Sequence, residues 1–108
     1  MSIDERIARF EKLKAQFPEN EQPRWSLATA LAEAERFEQA VKEFRELVTM
    51  KPDYCVAFLR LGASLMELEK YEDAIEALEE GRQLALEQHH TAPYQEAEML
   101  ISEAREEL

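Results

Sequence analysis

The chain has 108 residues and a mass of 12.6 kDa, which suits one compact domain and not two, because separate cores of about fifty residues each are marginal. Its 24 acidic and 13 basic residues leave a net charge of −11, so most of the surface repels a phosphate backbone or an anionic lipid face, which argues against nucleic acid and membrane as partners. Ala, Glu, Lys, Leu and Arg supply 62 residues whereas Val, Ile and Thr supply 10, a balance that disfavours sheet and points to an all-α chain.

In chain order, a first helix starts at Ser2 and carries Ile3, Ile7, Phe10, Leu13 and Phe17 at helical spacing, with Asp4 and Glu5 near the positive end of its dipole and Pro18 closing it. Leu27, Ala28, Leu31 and Ala34 form a second stripe, and Phe37, Ala40, Val41, Phe44, Leu47 and Val48 a third. The third stops before Pro52, because proline keeps its predecessor out of helical dihedrals. Phe58, Leu61, Gly62, Leu65 and Leu68 give a fourth, and Tyr71, Ala74, Ile75, Leu78, Gly81, Leu84 and Ala85 a fifth. Glu87 to Thr91 is polar and reads as a turn. Thr91 is expected to cap a sixth helix with Pro93 in its first turn and Tyr94, Ala97, Leu100, Ile101, Ala104 and Leu108 on one face.

The stripes repeat. At an offset of 34 residues Leu27 pairs with Leu61, Ala28 with Gly62, Leu31 with Leu65, Phe37 with Tyr71, Ala40 with Ala74, Val41 with Ile75 and Phe44 with Leu78. Run backwards, the offset pairs Ile7 with Val41, Phe10 with Phe44, Leu13 with Leu47 and Pro18 with Pro52, which makes the first helix half a repeat. The small residues Ala28 and Ala40, and Gly62 and Ala74, stand where two antiparallel helices cross, and they let the backbones approach to about 8–10 Å.

Leu27–Ala28 through Phe37–Glu38–Gln39–Ala40 to Phe44 and Pro52, and Leu61–Gly62 through Tyr71–Glu72–Asp73–Ala74 to Leu78, resemble tetratricopeptide repeats, in the manner of a small stand-alone bacterial-type member of that family. The resemblance implies an all-α, right-handed superhelix of helical hairpins. Its expected parts are an N-terminal half-repeat helix (2–18), one full repeat (21–54), a second (55–88) and a capping helix (91–108). The glycine usual at the turn inside each pair is replaced by Glu35 and Glu69, so a non-glycine residue is expected there in the left-handed region. Arg6 takes the place of Ala40 and Ala74, and Arg24 that of Phe58.

Constellations for catalysis are scarce. His89 and His90 are adjacent and lack the i, i+4 spacing of a helical metal pair. Cys55, the single cysteine, has neither a disulfide partner nor a nearby histidine and reads as a packed thiol at a helix start. Carboxylate neighbours such as Glu79–Glu80 and Glu106–Glu107 read as solvated faces, and Gly62 and Gly81 lie inside helical stripes and not in a phosphate-binding loop. No enzyme activity and no cofactor or metal is expected. Residues 1–20 carry charges throughout, without an apolar signal core, and no run reaches the length that spans a bilayer. A cytoplasmic chain is the expectation.

In the family the first helices of each pair line a concave groove that receives peptides. The resemblance therefore points to Gln22, Trp25, Thr29 and Glu33 in one copy and Val56, Leu59, Ala63 and Glu67 in the next, bordered by Arg60 and Met66. Trp25, Leu59 and Met66 are expected as an apolar floor with acids at one end, suited to a protein or peptide with an apolar anchor and basic flanks. A competing reading packs Trp25 against the first helix and Leu59 and Met66 under the last. Where the family's carboxylate clamp carries bases, this chain has Trp25, Thr29, Val56 and Arg60, a single cation, so an acidic chaperone tail is a poor match. The expected function is an adaptor, scaffold or co-chaperone-like binding module, with a homo-oligomer built through the terminal helices as the alternative. Glu96, Glu103, Arg105 and Glu106 are read as the charged outer face of the last helix, which favours a monomer or a weak oligomer.

Overall fold

A computed structural model describes residues 1–108 as six helices with no strand: α1 (Ile3–Gln16), α2 (Glu21–Glu33), α3 (Phe37–Met50), α4 (Cys55–Glu67), α5 (Tyr71–Glu87) and α6 (Thr91–Glu106). The local signals that start them are specific. Ser2 and Glu5 form a reciprocal capping box at α1, the Glu5 N–H donating to Ser2 Oγ at 3.1 Å and the Ser2 N–H to Glu5 Oε1 at 3.2 Å. Asn20 caps α2 by accepting from the Gln22 N–H at 3.0 Å. Thr91 is the first residue of α6 and not its cap. His90 holds the cap position without a side-chain bond.

The turns α2–α3, α4–α5 and α5–α6 share one device. Glu35, Glu69 and His89 each adopt φ 60°, the left-handed value expected at Glu35 and Glu69. The next residue in each case donates its N–H to the carbonyl five residues back: Arg36 to Leu31, Lys70 to Leu65 and His90 to Ala85, at 2.8–2.9 Å. This reversal satisfies carbonyls that the helix end leaves open, at the cost of holding a side chain where glycine sits more easily.

Each helix packs against its sequence neighbours, and α2 also touches α4 and α4 touches α6. No such contact joins α1 to α3 or α3 to α5. The first helices of the pairs therefore crowd together along one inner face while α1, α3 and α5 spread along the outer one. The core runs through this stack as a cluster that includes Leu27, Ala28, Leu31, Ala40, Phe44, Leu47, Leu61, Leu65 and Ala74, all buried. Gly62 is required by close approach: a Cβ there would lie 2.5 Å from Leu78 Cγ and 3.3 Å from the Ala74 carbonyl oxygen. Ala28 and Ala40 are fully buried at the corresponding seam. Phe17 departs from the expected stripe. It is the C-cap of α1 and is 54% exposed.

Candidate protein-interaction groove

Along the inner face the ten expected groove residues fall into three groups. Trp25 is half-buried and forms an aromatic platform. Its ring stacks on Tyr54 at 5.4 Å and 21° and meets the edge of buried Phe44 at 6.0 Å and 68°, pairings worth about 0.5–1.5 kcal/mol each beyond the area they bury. Trp25 is thus braced by its own repeat and by the residue that leads into α4. Lys51 Nζ sits 5.3 Å from the Tyr54 ring centre and 3.6 Å from Glu21 Oε1. Burial pushes the Tyr54 hydroxyl above its ordinary range; Lys51 opposes that shift and Glu21 adds to it. Gln22 is exposed one turn before the platform, and the Thr29 hydroxyl donates to its own helix at the Trp25 and Ser26 carbonyls, at 3.0 and 3.1 Å.

A second group remains accessible. Val56 is half-buried and lines a recess of about 440 Å³ with Lys51, Tyr54, His90 and Pro93, between the starts of α4 and α6. Ala63 is half-buried near the middle of α4. Met66 is half-buried against both apolar clusters of the core, and with Glu67 it lines a recess of about 450 Å³ shared with Glu69, Tyr71, Glu103, Glu106 and Glu107. Glu103 and Glu106, expected on the outer face of the last helix, line this recess beside Glu67 instead.

The third group is already engaged, which corrects the expectation. Leu59 is 1% exposed, closed in with Leu78, Ala97 and Ile101 beneath α6. It supports the groove from below and offers no open floor. As the competing reading has it, Leu59 packs beneath α6 and Met66 packs against the same cluster, while the aromatic partners of Trp25 lie on α3 and before α4. Arg60 bonds Glu96 of α6, so Glu96 faces α4 and does not lie on the outer face. Glu33 accepts two bonds from Arg6 of α1, at 3.1 and 3.3 Å.

Tyr54, Pro93 and Glu96 were not foreseen. Tyr54 had a signal, an aromatic two residues after the proline that ends α3. Glu96 had none, since it matches Gly62 at the 34-residue offset although α6 packs through Ala97, Ile101 and Ala104. No three His, Cys, Asp or Glu side chains come together to hold a metal ion. Cys55 is 4% exposed, its thiol donates to the Gly81 carbonyl at 3.3 Å, and burial pushes its pKa up. No helix is long and apolar enough to cross a membrane.

Two helical pairs repeated in register, with their first helices lining a shared inner face, define a helical-hairpin repeat protein. Residues 23–54 and 56–80 each match the tetratricopeptide repeat, together more than half of the chain. The chain belongs to the tetratricopeptide-repeat family. Among solved structures it is similar to the TPR2B domain of yeast Sti1 in complex with pHsp70, with a TM-score of 0.88 at 20% identity over 94% of this chain and 82% of that one. A protein from Bordetella parapertussis has a TM-score of 0.81 at 27% identity over 94% and 88% of the two chains. A tetratricopeptide repeat domain protein from Salinibacter ruber has a TM-score of 0.73 at 28% identity over 81% and 88%. No curated protein matches the sequence.

Proposed function

We propose that the protein is a non-catalytic interaction module of the cytoplasm, an adaptor or co-chaperone-like scaffold that takes a peptide segment along the inner face of α2, α4 and α6. The observation that carries this reading is the Trp25–Tyr54 stack: a half-buried tryptophan braced by two aromatic neighbours presents an anchor that is already ordered before a partner arrives. Gln22 and Thr29 beside it, and Val56, Ala63, Met66 and Glu67 along α4, extend the contact surface. Glu67 and the neighbouring Glu103, Glu106 and Glu107 supply negative charge for a basic flank, and the excess of acids over bases in the chain attracts such a segment from a distance. The TPR2B domain of yeast Sti1, similar in fold and solved in complex with pHsp70, supports the mode in general.

The test is selection from a random peptide display library followed by titration. Binders enriched for an apolar residue flanked by Lys or Arg are expected, with Trp25→Ala weakening them about tenfold or more. Selected peptides whose affinity ignores Trp25→Ala and Met66→Ala together would remove the groove. Self-assembly through α6 rests on Met99 and Leu108, 56% and 67% exposed. They are set among charged residues, and sedimentation at two concentrations tests the monomer expected here.

A further inference from the structure

Two junctions join successive pairs on the outer face, and the 34-residue offset relates them residue by residue. Val48, Phe58 and Ala77 at the second junction correspond to Lys14, Arg24 and Glu43 at the first. Val48 and Ala77 pack in the main apolar cluster, and Phe58 lies against Gly81, where an added Cβ would be 3.2 Å from its own. At the first junction the same places hold an ion network. Lys14 Nζ donates to both Glu43 oxygens at 2.6 and 2.9 Å and to Glu46 at 3.2 Å; Arg24 reaches Glu46 at 3.0 Å and the Pro18 carbonyl at 3.2 Å, and its buried Nε has no partner.

We propose that α1 is a salt-labile strap, which leaves the flank of α2 as a unit while both helical pairs stay folded, at a frequency set by ionic strength. Four observations carry this. First, an open cleft of about 540 Å³ lies between α1 and α3, floored by Leu27 and Leu31, and Lys14 is the α1 side chain that bonds across it. Second, α1 buries only Ile7 fully, with Ile3 and Phe10 partly packed. A helix of 14 residues is marginal in water without tertiary support.

Third, the remaining ties are the exposed pairs Arg6–Glu33 and Arg36–Asp4. Pairs of that kind are weak and easily screened. Fourth, α1 carries four bases and three acids, a net +1, against nine bases and twenty-one acids in the rest of the chain, a net −12. Its docking therefore includes a long-range attraction that salt removes, while the same salt relieves the self-repulsion of the acidic body. The two parts respond to ionic strength with opposite sign. Opening uncovers Leu27 and Leu31, which are 2% and 4% exposed when the strap is closed.

Hydrogen exchange of the full chain followed by mass spectrometry, at low and at high NaCl and constant pH, tests the strap. The expected result is exchange at least severalfold faster in α1 at high salt, with α4 and α5 unchanged or slower. The triple variant K14V/R24F/E43A, which writes the second junction into the first, is expected to lose the salt response of α1. If that variant does not fold, the exposed pairs serve instead, and Asp4→Asn with Arg6→Gln must shrink the response. Exchange of α1 in step with α4 and α5 at both salt concentrations, or an unchanged salt response in these variants, would overturn the proposal.

Discussion

The junction between α1 and α3 and the junction between α3 and α5 occupy equivalent places in one repeated architecture, yet different physics closes them. At the second, Val48 and Ala77 pack in the main apolar cluster and Phe58 lies against Gly81 of α5, apolar groups that gain from leaving water and need no partner geometry. The first uses Lys14, Arg24, Glu43 and Glu46, which must be paired to be tolerated at their depth: Glu43 is 8% exposed and holds two bonds from one ammonium. The repeat thus specifies where side chains meet, not what kind of interaction they make. Inside each pair, by contrast, the offset preserves chemistry as well as place, since Phe44 and Leu78 are both fully buried and Ala28 and Gly62 both admit a close neighbour.

If the cores are equivalent and the junctions are not, mutations at matched positions must separate the two cases. Phe44→Ala is expected to cost about 3–5 kcal/mol and Leu78→Ala about 2–5 kcal/mol, each lowering the midpoint of urea unfolding by a similar amount at any salt concentration. Lys14→Ala strands the Glu43 carboxylate and is expected to cost about 1–3 kcal/mol, measured as faster exchange in α1, with the loss shrinking at high salt. Its counterpart Val48→Ala must show no such salt dependence. Gly81→Ala, which sets a methyl 2.8 Å from Leu59 Cδ2, is expected to cost about 1–3 kcal/mol by overpacking under α6; a neutral melting curve would mean that Leu59 moves freely.

The pH dependence follows from the same network. Burial pulls the Lys14 ammonium down, but hydrogen bonds and charges from Glu43 and Glu46 reverse this and hold it above its ordinary 10.5. Burial likewise pushes the Glu46 carboxyl up, and the hydrogen bond and charge of Lys14, with smaller help from Glu43 and Arg24, bring it below its ordinary 4.5. A lowered carboxylate contributes stability that is complete above its ordinary range and fades as pH falls through the folded value. A raised lysine contributes stability that is complete below its ordinary range and fades as pH rises through the folded value. Protection of α1 is therefore expected to plateau at neutral pH and to fall at both extremes, as read by hydrogen exchange corrected for intrinsic rates. The smallest effect concerns the turns. Glu35→Gly or Glu69→Gly releases a side chain from φ 60° and is expected to stabilise by about 0.5–1 kcal/mol, visible as a small rise in Tm.

Much of the fold was legible because it is written twice. The offset that aligns Leu27 with Leu61 and Phe44 with Leu78 places five of the helices, and replacement of the usual turn glycine by Glu35 and Glu69 predicts the left-handed residues that the structure contains. The site was less legible because periodicity tells which face a residue is on and not what covers that face. Leu59 and Arg60 are positioned on the inner side of α4, but α6 closes over the first and its Glu96 takes the second. That cover was hidden since α6 breaks register: the positions equivalent to Leu61 and Gly62 are Gln95 and Glu96, while packing uses Ala97, Ile101 and Ala104. The Trp25–Tyr54 stack was half visible, as Trp25 is the single tryptophan but its orientation depends on a residue in the next segment.

The central claim is that partners are received on the inner face formed by α2, α4 and α6. Amide and methyl NMR shifts of the whole chain, followed during titration with a peptide recovered by display, address it residue by residue. Perturbations are predicted at Gln22, Trp25, Thr29, Val56, Ala63 and Met66, together with the Trp25 indole N–H, while the outer faces of α3 and α5 stay still. Shifts centred on α1, α3 and α5, with the Trp25 indole unmoved at saturation, would contradict the account.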